Sequence, residues 1–190
     1  TAFNPKVFPE IPLKGRKLNQ REYMLQVRDL LLDYVTAFPD NKKRAILFSG
    51  KTGLGKTFLL NSMAKYIIDE GYTVIRVSAY KLFDQLFYSS FSKDSDMEGL
   101  YNQLFKVDAL IIDDLGTETR RNNYTSEDLF NIINERSLKN GHTFISTNLG
   151  LSELRQRYSD RIASRLFDTL NTMVIPFEGQ DIRLKKTRQG

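Results

Sequence analysis

The chain has 190 residues, 41% hydrophobic and 27% charged, with 13 Phe and 9 Tyr, a composition that supports one folded domain of its own core and argues against disorder. It carries no cysteine and a single histidine, His142, which excludes disulfides, thiolate zinc sites, cysteine nucleophiles and His-rich metal centres within this sequence. The net charge of +5 permits attraction to a polyanion, and no apolar run approaches the roughly 18 to 20 residues of a membrane span. A soluble, cytoplasmic protein is expected, and the Thr at position 1 suggests that an N-terminal module precedes this sequence in a longer protein.

Residues 1–18 hold Pro5, Pro9 and Pro12 without a clear period and read as an extended linker, leaving 19–190 as the folded domain. Asn19 and Glu22 have capping-box spacing ahead of Met24, Val27, Leu31, Tyr34, Val35 and Phe38, so a helix is expected that ends before Pro39. Ala45–Phe48 is a short apolar run, Phe58 to Ile68 has helical spacing and stops at Gly71, and Thr73–Val77 is rich in β-branched residues. This order is a βαβ unit. Tyr80 to Phe105 reads as two helical pieces divided by Ser92–Asp96, followed by a buried-strand candidate at Ala109–Ile112. Ser126 is placed to cap a helix through Leu129, Ile132 and Ile133 that closes at Asn140-Gly141. Thr143–Ser146 is a fourth strand, Leu151 to Phe167 contains two short helices, and Met173–Ile175 is a fifth strand. The expected fold is α/β, a five-stranded parallel sheet covered by helices on both faces.

Gly50 to Thr57 matches G-x-x-x-x-G-K-[ST] between a predicted strand and a predicted helix, the context its mechanism needs. Glycines let backbone N–H groups turn inward around a polyphosphate, and the helix N-terminus adds unpaired donors and the positive end of its dipole. Gly50, Lys51, Thr52, Gly53, Leu54, Gly55, Lys56, Thr57 and Phe58 are therefore candidate nucleotide-binding residues, with Lys56 on the β- and γ-phosphates and Thr57 on Mg²⁺. Ala109 to Gly116 then supplies four apolar residues ending in Asp113 and Asp114, a Walker B pattern: Asp113 would hold Mg²⁺ and Asp114 would polarise the attacking water. In P-loop NTPases of the additional-strand type, the fourth strand is inserted between the first and third and ends in a polar sensor. Asn148 stands where that sensor belongs.

These residues resemble the AAA+ ATPases, in particular the DnaC/DnaI helicase-loader family and its relative, the IstB transposition ATPase. The matching stretches are Phe48–Thr57, Ala109–Gly116, Asn131–Arg136, Phe144–Asn148, Tyr158–Leu166 and Gln180–Arg183. The resemblance implies ATP and Mg²⁺ as cofactors and an arginine finger acting in trans, for which Arg165 is the better match and Arg161 the alternative. It also implies a sensor-2 role for Arg183 on the γ-phosphate, a minimal or absent lid, and self-association into an ATP-bridged oligomer. Partners implied by the resemblance are the replicative DNA helicase, reached through the missing N-terminal module, and single-stranded DNA, for which Lys81, Tyr88, Phe91 and Lys93 interleave charge with aromatic rings. The expected activity is ATP hydrolysis in helicase loading. Alternatives are an IstB-like transposition helper and an ATP-switched adaptor with little turnover; a P-loop kinase shares the cradle but has no use for the acid pair and the trans arginine. Phe3 to Leu18 and the adjoining helix are positional candidates for the adenine pocket.

Overall fold

β-branched and aromatic runs that alternate with helical periods leave little freedom in how they can bury both sides of each strand. The computed structural model describes residues 3–91, 97–119 and 124–183, and its strands are β1 (Ala45–Gly50), β2 (Val74–Ser78), β3 (Ala109–Leu115), β4 (His142–Thr147) and β5 (Thr172–Phe177). All pair in parallel in the order β2-β3-β4-β1-β5, so β4 lies between β1 and β3 as expected. Pro176 fits inside β5 because that strand is an edge.

Helices α1 (Gln20–Thr36) and α2 (Lys56–Asp69) cover one face over Ile46, Phe48, Ile111 and Phe144. Helices α3 (Ala79–Phe91), α4 (Met97–Lys106), α5 (Tyr124–Leu138), α6 (Leu151–Tyr158) and α7 (Asp160–Leu166) serve the other, over Leu47, Leu110, Ile112 and Ile145. Strand alternation assigns odd and even residues to opposite cores. All six residues of β4 are buried, so its polar side chains need partners. Thr143 accepts from Arg136 Nε at 3.0 Å, and Thr147 Oγ1 donates to the Leu115 carbonyl at 2.7 Å. Arg136 is fully buried and also donates to carbonyls of Val107 and His142, tying the ends of α4 and α5 to the start of β4. Burial pushes its guanidinium down to about 10.

The Asn19–Glu22 capping box forms in both directions, at 3.0 and 2.9 Å. Two expectations are corrected. Residues 3–18 do not trail as a linker: a 3-10 turn at Pro5–Val7 and a bridge between Pro12 and Asn19 seat Phe8 and Leu13 in the α1/α2 core, at 3% and 5% exposure. Proline spacing announced irregular backbone, and irregular backbone can still pack. Ser126 is not the N-cap of α5, which already includes Tyr124, so it lies inside the first turn. Among the described residues no helix is long and apolar enough to cross a membrane.

Candidate functional site: a phosphate cradle at the strand ends

At the carboxyl end of β1 the chain turns through Gly50 to Gly55 and enters α2. Gly50 has φ +143°, and a Cβ there would meet the Phe177 carbonyl oxygen at 2.1 Å; Gly53 has φ +75°, and its Cβ would meet the Asp181 carboxylate at 2.0 Å. Only glycine fits both positions. No side chain caps α2 at Gly55, which leaves first-turn N–H groups for an incoming anion.

Lys56 folds back over the loop: its ammonium donates to the carbonyls of Gly50 at 2.5 Å and Lys51 at 2.8 Å, and to Asn148 Oδ1 at 2.8 Å. Burial pushes its pKa below the ordinary lysine value, while Asp114 and Asp113 pull it back up. Asp113 is 4% exposed. Its Oδ1 accepts from Ser146 Oγ at 2.5 Å and Thr57 Oγ1 at 3.2 Å, and its Oδ2 pairs with Arg76 at 2.5 Å. A register shift between Ile112 and Leu115 and a φ of +56° at Asp114 swing that residue out of the ladder. The Asp114 N–H is held by Ser146 Oγ at 2.8 Å.

The resulting cleft, about 460 Å³, is lined by Thr52 to Phe58, by Asp114 and Asn148 from the strand ends, and by Ile182 and Arg183. Gly50 and Lys51 stand behind it and contribute carbonyls to Lys56 instead. Arg183 pairs with Asp181 and donates to Thr52 Oγ1, each at 2.7 Å, and the Ile182 N–H donates to the Gly53 carbonyl at 3.0 Å. That segment is anchored from α1, where the fully buried Gln20 amide exchanges two hydrogen bonds with the Gln180 backbone, at 3.0 and 2.9 Å. The cradle, the Lys56 and Arg183 cations and the hard oxygen donors of Thr57 and Asp113 suit a magnesium-bound polyphosphate. Among the described residues no group of three or more His, Cys, Asp or Glu could hold a metal.

Arg165 is not brought to this cleft. It borders a cavity with Ala45, Thr143 and Thr172, at the amino ends of the strands, roughly 17 Å of strand away from the loop at Gly50. Arg161 lies over the Phe130 ring at 3.7 Å, while Ile162 and Leu166 are buried beside the two arginines. Tyr88 and Phe91 are 63% and 66% exposed on α3, whereas Phe83 and Leu86 belong to the core; Lys93 lies outside the described residues.

Sequence reasoning missed Arg76, Ser146, Glu118, Gln20 and Asp181. Ser146 sits two residues before Asn148 in a quoted stretch, but only its strand neighbour across the sheet gives it a role. Glu118, 3% exposed, accepts from the Gly116 N–H at 2.8 Å, from Arg157 Nε at 3.1 Å and from the Tyr158 hydroxyl, joining the turn after Asp114 to α6.

A family model of the IstB-like ATP binding protein matches residues 18–190. The replicative helicase loader DnaC of Escherichia coli strain K12 is 26% identical over 133 residues, which are 70% of this chain and 54% of that relative. The chain thus spans about half the length of that curated relative. A crystal structure of the DnaC helicase loader superposes with a TM-score of 0.71 at 21% identity, covering 82% of this chain and 90% of the other. The replication initiator DnaA bound to AMPPCP and single-stranded DNA superposes with a TM-score of 0.69 at 22% identity, covering 96% of this chain and 53% of the other. The AAA+ P-loop fold is common to all of them.

Proposed function

The chain belongs to the family of IstB-like ATP binding proteins, and on that footing we propose that it is the ATP-hydrolysing motor of a helicase loader, acting in DNA replication. The observation that carries this reading is the meeting of Lys56, Thr57, Asp114 and Asn148 around one cleft, with the buried Asp113 accepting from Thr57 behind it, from three different strand ends.

In the proposed site the Lys56 ammonium exchanges its loop carbonyls for β- and γ-phosphate oxygens, and α2 presents its first-turn N–H groups to the same phosphates. Thr57 and Asp113 would hold Mg²⁺, which would supply positive charge against the phosphates. Asp114 accepts a proton from the water whose oxygen attacks the γ-phosphorus, as the β–γ bridging oxygen leaves with ADP. Asn148 orients that water or the γ-phosphate, and Arg183 approaches from the tail with Thr52 and Asp181 as its resting partners.

Arg165 acts on the nucleotide of an adjacent copy. Its place at the amino ends of the strands supports this, since it is too far from its own cleft, and Arg161 is engaged with Phe130. The γ-phosphate then favours the assembled state, and its loss releases the partner. The replicative helicase and single-stranded DNA are the proposed partners, supported by the likeness to DnaC and to DnaA. Exposed Tyr88 and Phe91 suit base stacking.

The test is affinity capture of the full-length protein from its own extract with ATP and Mg²⁺, using Lys56→Ala as control. Recovery of the replicative helicase supports the loader. The family match favours a second reading, a transposition helper of the IstB kind, which recovery of a transposase would establish. Capture of the helicase without any phosphate release would leave an ATP-switched adaptor.

A further inference from the structure

We propose that Arg76 is a positioning residue that supplies, at Asp113, the positive charge that magnesium brings later, and so sets how strongly nucleotide affinity depends on the metal. The inference rests on the magnesium–nucleotide reading above and concerns a residue outside both motifs.

Arg76 is in the middle of β2, an edge strand, and alternation puts it with Val74 on the face covered by α2. The register sets Ser78, not Arg76, beside Asp113, so the arginine side chain must reach forward along the sheet to meet the carboxylate. It does so at 2.5 Å on Oδ2. The other two partners of Asp113, Ser146 and Thr57, are neutral hydroxyls on Oδ1. Arg76 is therefore the cation in ion-pair contact with this carboxylate among the described residues.

The two ends of the pair differ in freedom. The Asp113 side chain is 6% exposed and held by hydroxyls, while the Arg76 side chain is 40% exposed. When a metal arrives, the carboxylate stays and the guanidinium can withdraw into water. Without the metal, Arg76 offsets a carboxylate whose charge would otherwise repel an incoming triphosphate. Only the Arg76 end of the pair is exposed; Asp113 is buried, so removing the guanidinium leaves its charge with two neutral hydroxyls, and circular dichroism on each variant separates any loss of stability from the change in the site's charge.

Removing Arg76 should act in opposite directions with and without the metal. Metal-free ATP meets an uncompensated Asp113, and magnesium no longer competes with a guanidinium. Nucleotide affinity is measured by titration calorimetry on the chain, in excess Mg²⁺ and in EDTA, for the unsubstituted protein, Arg76→Gln and Arg76→Lys. The expected result is that the ratio of the EDTA to the Mg²⁺ dissociation constant rises about tenfold for Arg76→Gln and stays within about twofold for Arg76→Lys. Arg76→Thr, suited to an edge strand, repeats the test if glutamine disturbs β2. An unchanged ratio, or both constants rising together, overturns the proposal and leaves the nucleotide site standing. No binding by the unsubstituted chain in either condition removes the nucleotide reading and this inference with it.

Discussion

The Lys56 ammonium donates to Asn148 Oδ1 at 2.8 Å, joining the first residue of α2 to the residue after β4 across 92 positions of sequence. Two residues assigned to separate tasks by motif thus touch at the cleft. Asn148→Ala should lower turnover about tenfold or more while ATP affinity changes only a few-fold, because the lost contact matters most as charge develops. Steady-state phosphate release beside nucleotide titration checks this. Equal losses in both would place Asn148 in ground-state binding.

The distance between Arg165 and its own cleft leads to a mixing experiment. Arg165→Ala should bind ATP normally yet turn over slowly, and Lys56→Ala should not bind. Combined, the two should recover part of the activity, since one contributes an intact cleft and the other an intact finger. A mixture no more active than its components would count against a trans role.

Glu118 gathers Gly116, Arg157 and Tyr158 in a buried cluster. Glu118→Ala removes the carboxylate that accepts from the Gly116 N–H, Arg157 Nε and the buried Tyr158 hydroxyl, a loss of roughly 2 to 4 kcal/mol. Urea unfolding followed by circular dichroism measures it, and Glu118→Gln should lose about half as much. A change below 0.5 kcal/mol in the alanine variant would show that water replaces the carboxylate.

Gly53→Ala places a methyl against the Asp181 carboxylate in a left-handed backbone position. The variant should lose roughly 1 to 2 kcal/mol and loosen the Asp181–Arg183 segment. Hydrogen exchange at the Ile182 amide, which donates to the Gly53 carbonyl, should accelerate relative to the β4 amides. Unaltered exchange would mean that Asp181 moves aside without cost.

His142 is 2% exposed, packed among Tyr34, Phe38 and Phe144, and burial pushes its pKa down to about 4. The unfolded chain binds the proton near 6.5, so between pH 6.5 and 4 it holds more proton than the folded chain, and stability rises with pH through that window. The contribution present above pH 6.5 and lost by pH 4 is about 3 kcal/mol. Urea midpoints at pH 5 and 7.5 should converge in His142→Leu relative to the unsubstituted chain. A parallel fall in both proteins would assign the acid sensitivity to other groups.

The glycine-lysine loop, the acid pair and the strand-helix alternation were legible in the sequence because each is local: a glycine pattern with its flanking strand and helix, or an apolar period. β4 between β1 and β3 followed from the resemblance those motifs carry, and the registers agree. Long-range polar pairing was not legible. Arg76 meets Asp113 only because β2 and β3 pair in register, and Gln20 meets Gln180 across 160 residues because both lie at the end of the sheet where the cradle forms. Residues 3–18 pack through Phe8 and Leu13 although nothing in their spacing marks a buried face. A motif states which chemistry is present through residues that are neighbours in the chain. Which charges face each other, and which arginine lies away from its own cleft, depends on tertiary distances, and hydrogen bonds between remote residues leave no period to read.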